Sequence, residues 1–171
     1  MKLTQKIAVS YLRTKFSLLA KVSRKKAAAK AFDLFCTPMY RNLNELPVLY
    51  KESEKLDFRF RDFDIRGYRW NKGGKSRILI IHGFESSVVN FEKYVKVFIQ
   101  KDYEVLAFDA PAHGRSSGKK INALLYRDFI KFILQQYGPV QKFLAHSFGG
   151  LSLSMALAEL KHDDHTRAVY V

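Results

Sequence analysis

Between residues 56 and 70, apolar and charged positions alternate. Leu56, Phe58 and Phe60 are followed by Phe63 and Ile65, and then by Tyr68 and Trp70. A period of two predicts two half-buried strands running as antiparallel neighbours, ended by a turn at "NKGG" (71–74). Beyond it come short unbroken apolar runs: "RILII" (77–81), "EVLAF" (104–108) and "VQKFLA" (140–145). Such runs predict strands buried on both faces, as in a parallel sheet. Two helical patterns separate them, "NFEKYVKVFIQ" (90–100) and "NALLYRDFIKFILQQY" (122–137), the second closed by Gly138-Pro139. "FGGLSLSMALAEL" (148–160) is apolar nearly all round and predicts a buried helix. "RAVYV" (167–171) begins another strand.

Strand, helix, strand, helix, strand predicts an α/β fold with a predominantly parallel sheet and right-handed crossovers. The N-terminal segment differs. Residues 4–20 place Ile7, Leu12, Phe16 and Leu19 at helical spacing, and "SRKKAAAKAFDLF" (23–35) predicts a second helix with Ser23 as N-cap, ending before Pro38. The reading divides the chain into a basic helical arm, 1–50, and an α/β domain, 51–171.

Charge sharpens this division. Residues 1–41 hold ten Lys or Arg and one acid, Asp33, so most of the formal charge of +14 belongs to the arm. Two states of the arm stay open. It packs one face on the domain and shows lysines to water, the usual fate of a charge run, or it lies on an anionic membrane or nucleic acid. No run reaches the roughly 18 apolar residues of a membrane span. Arg13 and Lys15 interrupt the apolar stretch that a secretory leader would need. The single cysteine, Cys36, allows no internal disulfide and reads as a small buried hydrophobe, which fits a reduced, cytoplasmic setting.

Candidate chemistry follows the strands. "AHSFGG" (145–150) sets Ser147 in a turn between a buried strand and a buried helix, with small residues, Ala145 and Gly149, two places before and after it. The helix start aims N–H groups and a positive dipole end at the same place. Ser147 is therefore a candidate nucleophile, and the alternative is a serine that merely caps a helix. "ILIIHGFESS" (78–87) ends a strand in His82-Gly83-Phe84. The Phe84 N–H is a candidate oxyanion donor beside that of Phe148, while His82 reads as a structural histidine bonded to loop backbone. "FDAPAHGRSSG" (108–118) ends a strand at Asp109, read as fixing its turn through side-chain-to-backbone bonds. "GGKS" (73–76) is set aside as a phosphate loop because Arg69 stands where its first glycine belongs.

These three motifs, in this order and on these elements, resemble the α/β-hydrolase family. "HGF" is similar to its oxyanion loop, "DAPAHGRSS" to its loop after the fourth strand, and "AHSFGG" to its nucleophile elbow. Ala112 and Ala145 stand where the family usually has glycine. The resemblance covers residues 56–171. It implies a serine hydrolase acting on a small-molecule carboxylic ester, less readily an amide or thioester, with no metal and no organic cofactor. It also implies the order serine, acid, histidine, the last two following later strands. Asp163 or Asp164 with His165 has that order, yet the helix after Ser147 carries those groups about 20 Å away. "HDDH" (162–165) is a poor metal-ligand set without further partners. The expectation is therefore the N-terminal part of a hydrolase, truncated after about the sixth strand and inactive alone. The alternative is a non-catalytic protein binding an anionic surface, membrane or nucleic acid, through its arm. As a hydrolase the chain is expected to have no nucleic-acid partner and no membrane span, with peripheral membrane contact by the arm left open.

Overall fold

In the computed structural model, residues 3–161 and 163–171 are described. The chain forms two compact units, Met1–Thr37 and Pro38–Val171. The first is a helical hairpin of α1 (Leu3–Val22) and α2 (Arg24–Phe35). Ser23 between them is extended at φ −159°, and its hydroxyl accepts from the Lys26 N–H at 3.3 Å, the predicted N-cap. Leu12, Phe16 and Leu34 line the cleft between the helices, and Ala27 and Cys36 are buried.

The boundary lies at Thr37, not at residue 50 as the sequence reading placed it. Residues 38–50 join the second unit through bonds that have no periodicity. The Met39 N–H donates to Glu85 Oε1 at 2.7 Å. The Arg41 guanidinium donates to the carbonyls of Gly114, Ser116 and Gly118. A short helix, α3 (Val48–Lys51), then buries Tyr50, whose ring meets Tyr68 and Trp70 edge-on.

The second unit is built on a six-stranded sheet. Its strands are β1 (Glu54–Lys55), β4 (Gly67–Trp70), β5 (Ser76–Ile81), β6 (Tyr103–Phe108), β7 (Lys142–Ala145) and β8 (Arg167–Tyr170). The spatial order is β1-β4-β6-β5-β7-β8, with β6, β5, β7 and β8 parallel and β4 antiparallel to both its neighbours, β6 and β1. β2 (Phe58–Phe60) and β3 (Phe63–Ile65) form a separate antiparallel hairpin that pairs Phe58 with Ile65 and Phe60 with Phe63. The alternation at 56–70 thus marks a hairpin plus a strand of the main sheet: its phase shifts by one residue between Phe60 and Phe63, at the hairpin turn, and again between Ile65 and Tyr68, where β3 gives way to β4.

A 3₁₀ turn (Val88–Phe91) leads into α4 (Glu92–Gln100), which packs on β6. α5 (Ala123–Tyr137) and α6 (Phe148–Glu159) pack on each other. Phe60, Phe108, Phe129, Ile130 and Leu153 belong to one buried core, and Trp70, Ile80, Val95 and Val105 to the other. These continuous apolar strands are buried because helices or loops cover both faces. α6 departs from the expected buried helix along its outer side, where Leu151, Ser154, Ala158 and Glu159 are exposed.

Candidate active site

The C-terminal ends of β5, β6 and β7 gather the three loops that the motifs mark. After β7 the chain turns sharply at Ser147, which adopts φ 49° and ψ −118°. Positive φ strains an L-residue through its Cβ, so only a fixed turn holds a serine there. Backbone bonds on both sides fix it. The His146 N–H donates to Ile81 O at 2.9 Å, the Ser147 N–H to Val171 O at 3.1 Å, and the Leu151 N–H to Ser147 O at 3.1 Å. Ser147 is exposed, and its side chain makes no capping bond to the helix it precedes. The capping alternative fails on both counts, since a capping serine is extended and its oxygen accepts from the first turn.

The glycines of "FGG" bring the elbow against its neighbours. A Cβ on Gly149 would lie 2.4 Å from His82 O, and one on Gly150 would lie 2.9 Å from the Tyr170 ring. A Cβ on Gly83 would lie 2.6 Å from His146 Nδ1. The loop after β5 and the elbow are therefore in backbone-level contact. Phe84 and Phe148 meet edge-to-face at 5.6 Å between ring centroids. The Phe148 N–H, the first of α6, has no backbone acceptor among the described residues, while the next, of Gly149, donates to His146 O.

Two buried histidines pin these loops. The Ala110 N–H donates to His82 Nε2 at 2.9 Å, so Nδ1 carries the proton and donates to Gly83 O at 2.8 Å. In the same way the Glu85 N–H donates to His113 Nε2 at 3.1 Å, and His113 Nδ1 donates to Pro111 O at 3.0 Å. Both rings are neutral. Burial lowers each to about 4, and for His113 the nearby His82 adds to the effect. His82 is structural, as read from the sequence.

Asp109 is also structural in its bonding. The Val88 N–H donates to Oδ1 at 3.0 Å and the Arg115 N–H to Oδ2 at 2.9 Å. Burial raises its carboxyl to about 6, against the pull of those two N–H groups. Gly114 lets the carboxylate approach, for a Cβ there would lie 2.2 Å from Asp109 Cγ.

The tempting acid–histidine pair lies elsewhere. Asp163 accepts from the His165 N–H at 3.0 Å and from Gln141 Nε2 at 3.2 Å. Gln141 precedes β7 and Ser147 follows it, so these groups sit at the opposite end of the parallel strands. His162 lies outside the described residues. A cleft lined by Leu134, Val140, Phe143, Leu157 and Leu160 occurs at that same far end, away from Ser147. The sequence reading did not anticipate the His113 pin, the Tyr126 hydroxyl donating to His82 O at 3.0 Å, or the Arg41 strap. No local motif signals them, because each joins segments distant in sequence.

Comparison with known proteins agrees with this fold. The alpha/beta hydrolase fold family matches residues 76–170, and the chain belongs to that family. It is 30% identical over 89 residues to the uncharacterized hydrolase YugF of Bacillus subtilis, covering 49% of this chain and 32% of that protein. It is 28% identical over 100 residues to the monoglyceride lipase of Rattus norvegicus, covering 53% of this chain and 33% of the lipase. The chain thus spans about a third of the length of these relatives. The Pyrococcus furiosus esterase Pf2001 superposes with a TM-score of 0.57 at 23% identity, over 74% of this chain and 52% of the esterase. No helix among the described residues is long and apolar enough to cross a membrane.

Proposed function

We propose that Ser147 is the nucleophile of a serine hydrolase acting on a carboxylic ester, with the N–H groups of Phe84 and Phe148 as its oxyanion donors. The observation that carries this reading is the backbone of Ser147 at φ 49° and ψ −118°, with its side chain exposed and bonded to no helix N–H. Strain of this kind costs about 1–3 kcal/mol and accumulates where function requires it. In the reaction, Ser147 Oγ attacks the ester carbonyl carbon. Negative charge develops on the carbonyl oxygen, where the start of α6 offers N–H groups and a positive dipole end. The hydroxyl proton must pass to an imidazole oriented by a carboxylate. No described hydrogen bond reaches Ser147 Oγ. We assign the base and acid to the part of the fold that the relatives have and this chain does not span. The similarity to a monoglyceride lipase and an esterase supports an ester as substrate.

The test is labelling by a fluorophosphonate in a protein carrying the complete fold, followed by mapping of the modified residue. The expected adduct is on Ser147, and Ser147→Ala abolishes it together with turnover of a short-chain aryl ester. Esterase activity retained in a folded Ser147→Ala protein overturns the assignment.

A further inference from the structure

The helical hairpin carries an apolar surface that its own packing leaves unused. In α1, Leu12, Phe16, Leu19 and Ala20 are the half-buried positions, and Leu12 and Phe16 face α2 across the cleft. Ile7, Tyr11, Leu18 and Val22 are 58–84% exposed. At 100° per residue, those four fall within about 60° of arc, one continuous stripe along the helix. Lys21 lies about 40° to one side of this stripe and Lys15 about 20° beyond the other. The Lys15 ammonium sits 5.6 Å from the centre of the Tyr11 ring. In α2, Phe32 is exposed in the same manner, and Arg24 and Lys25 begin that helix. Between residues 3 and 37 there are eight Lys or Arg and one acid, Asp33.

We propose that the hairpin is a docking surface for an anionic phospholipid bilayer. Its stripe enters the acyl boundary while the flanking lysines reach the headgroup phosphates. The two features select this partner together. An apolar stripe alone would equally suit a protein groove, but a groove does not call for positive charge along both borders of the stripe. Positive charge alone would suit nucleic acid, but a phosphodiester surface gives exposed Ile, Leu and Val side chains nowhere to leave water. A helix lying in the interfacial plane of an anionic membrane satisfies both. Its apolar face is buried and its long basic side chains extend their stems along the boundary to the charged layer. Such a helix adsorbs without spanning, in accord with the absence of a membrane-crossing helix among the described residues.

Flotation of the chain with vesicles tests this. The chain is expected to float with mixed phosphatidylcholine–phosphatidylglycerol vesicles, not with phosphatidylcholine alone, and to be released by added salt. Leu18→Ser with Val22→Ser keeps every charge and alters only exposed positions. It is expected to weaken binding at least about tenfold, the loss of buried side-chain area. Lys15→Glu with Lys21→Glu keeps the stripe and is expected to weaken it about fivefold or more per site. Circular dichroism of each variant confirms that the helices persist. Failure to float with the anionic vesicles overturns the proposal. So does flotation indifferent to the serine variant, or salt-sensitive capture of duplex DNA by a chain that does not float.

Discussion

Ser147 combines a strained backbone with an uncommitted side chain, and the two can be separated by substitution. Ser147→Ala removes only the hydroxyl. Because that hydroxyl caps nothing, unfolding free energy should change by less than about 0.5 kcal/mol, where loss of a capping serine costs about 1 kcal/mol. Ser147→Gly also removes the Cβ. It relieves about 1–3 kcal/mol of strain and adds about 1 kcal/mol of unfolded-state entropy, so stability should hold or rise slightly. Urea unfolding of the two variants beside the parent reads both effects. A clear loss in Ser147→Ala would return Ser147 to the role of a cap. The buried loop residues predict a pH dependence at the same scale. His82 and His113 titrate at about 4 in the fold, against about 6.5 for a free imidazole, so the stability they contribute is present above pH 6.5 and lost as pH falls. Asp109, raised to about 6, acts with opposite sign: the burden of burying its charge is present above pH 6 and relieved toward pH 4. Between these limits the unfolded chain gains two protons where the fold gains one. Stability should therefore decline by on the order of 1.4 kcal/mol per pH unit from pH 6 to pH 4. Stability that is flat or rising on acidification through this window would mean that Asp109 outweighs the histidines.

At the scale of elements, the elbow depends on how closely α6 approaches the end of β5. Gly149 sets that approach, with His82 O 2.4 Å and Ile81 Cγ2 2.8 Å from where a Cβ would lie. The nearer atom is backbone of a buried strand end and cannot move aside. Gly149→Ala is expected to cost at least about 2 kcal/mol, and with it to lower the melting temperature by roughly 5 °C or more. Differential scanning calorimetry checks it, and an unchanged melting temperature would show that the strand end yields. Gly149 was legible in the sequence as a small residue two places after the serine, because the tightness of a strand–turn–helix junction is a local property. The strands and helices were legible for the same reason: each run has its own period, from "RILII" to the Gly138 stop of α5, where the Gly138 N–H donates to Leu134 O. What escaped was non-local. Residues 38–50 have neither a period of two nor a helical one, and their place is set by Arg41 reaching carbonyls more than seventy residues away. The break between β3 and β4 shows in the sequence only as a one-residue shift of phase from Ile65 to Tyr68, which does not tell a turn within one sheet from a passage to another. The apolar run 148–160 reads as buried on every side, whereas the sheet and α5 cover only part of α6.

The whole molecule presents two sheet edges of unlike character. β1 closes one edge with two residues, Glu54 and Lys55, and the Glu54 carboxylate is paired with Arg69 on β4. A short, charged edge offers little to a second strand. β8 closes the other with four residues, and Val169 and Tyr170 are 57% and 50% exposed. Its outer row of N–H and C=O groups, flanked by apolar side chains and by the exposed Leu151 of α6, is a template for pairing with another copy. The chain of 171 residues should therefore self-associate as its concentration rises, readable by sedimentation velocity. Val169→Lys places a charge on this edge strand and should shift the population toward monomer, because the ammonium is partly desolvated when a second strand and its side chains pack alongside. The apolar stripe of the hairpin is the competing cause, and deletion of residues 1–37 separates the two. Association driven by β8 survives the deletion and responds to Val169→Lys. Association driven by the hairpin vanishes with the deletion and ignores the lysine. A chain that stays monomeric at every concentration, with residues 1–37 present, would show that the edge is blunt despite its exposed Val169 and Tyr170.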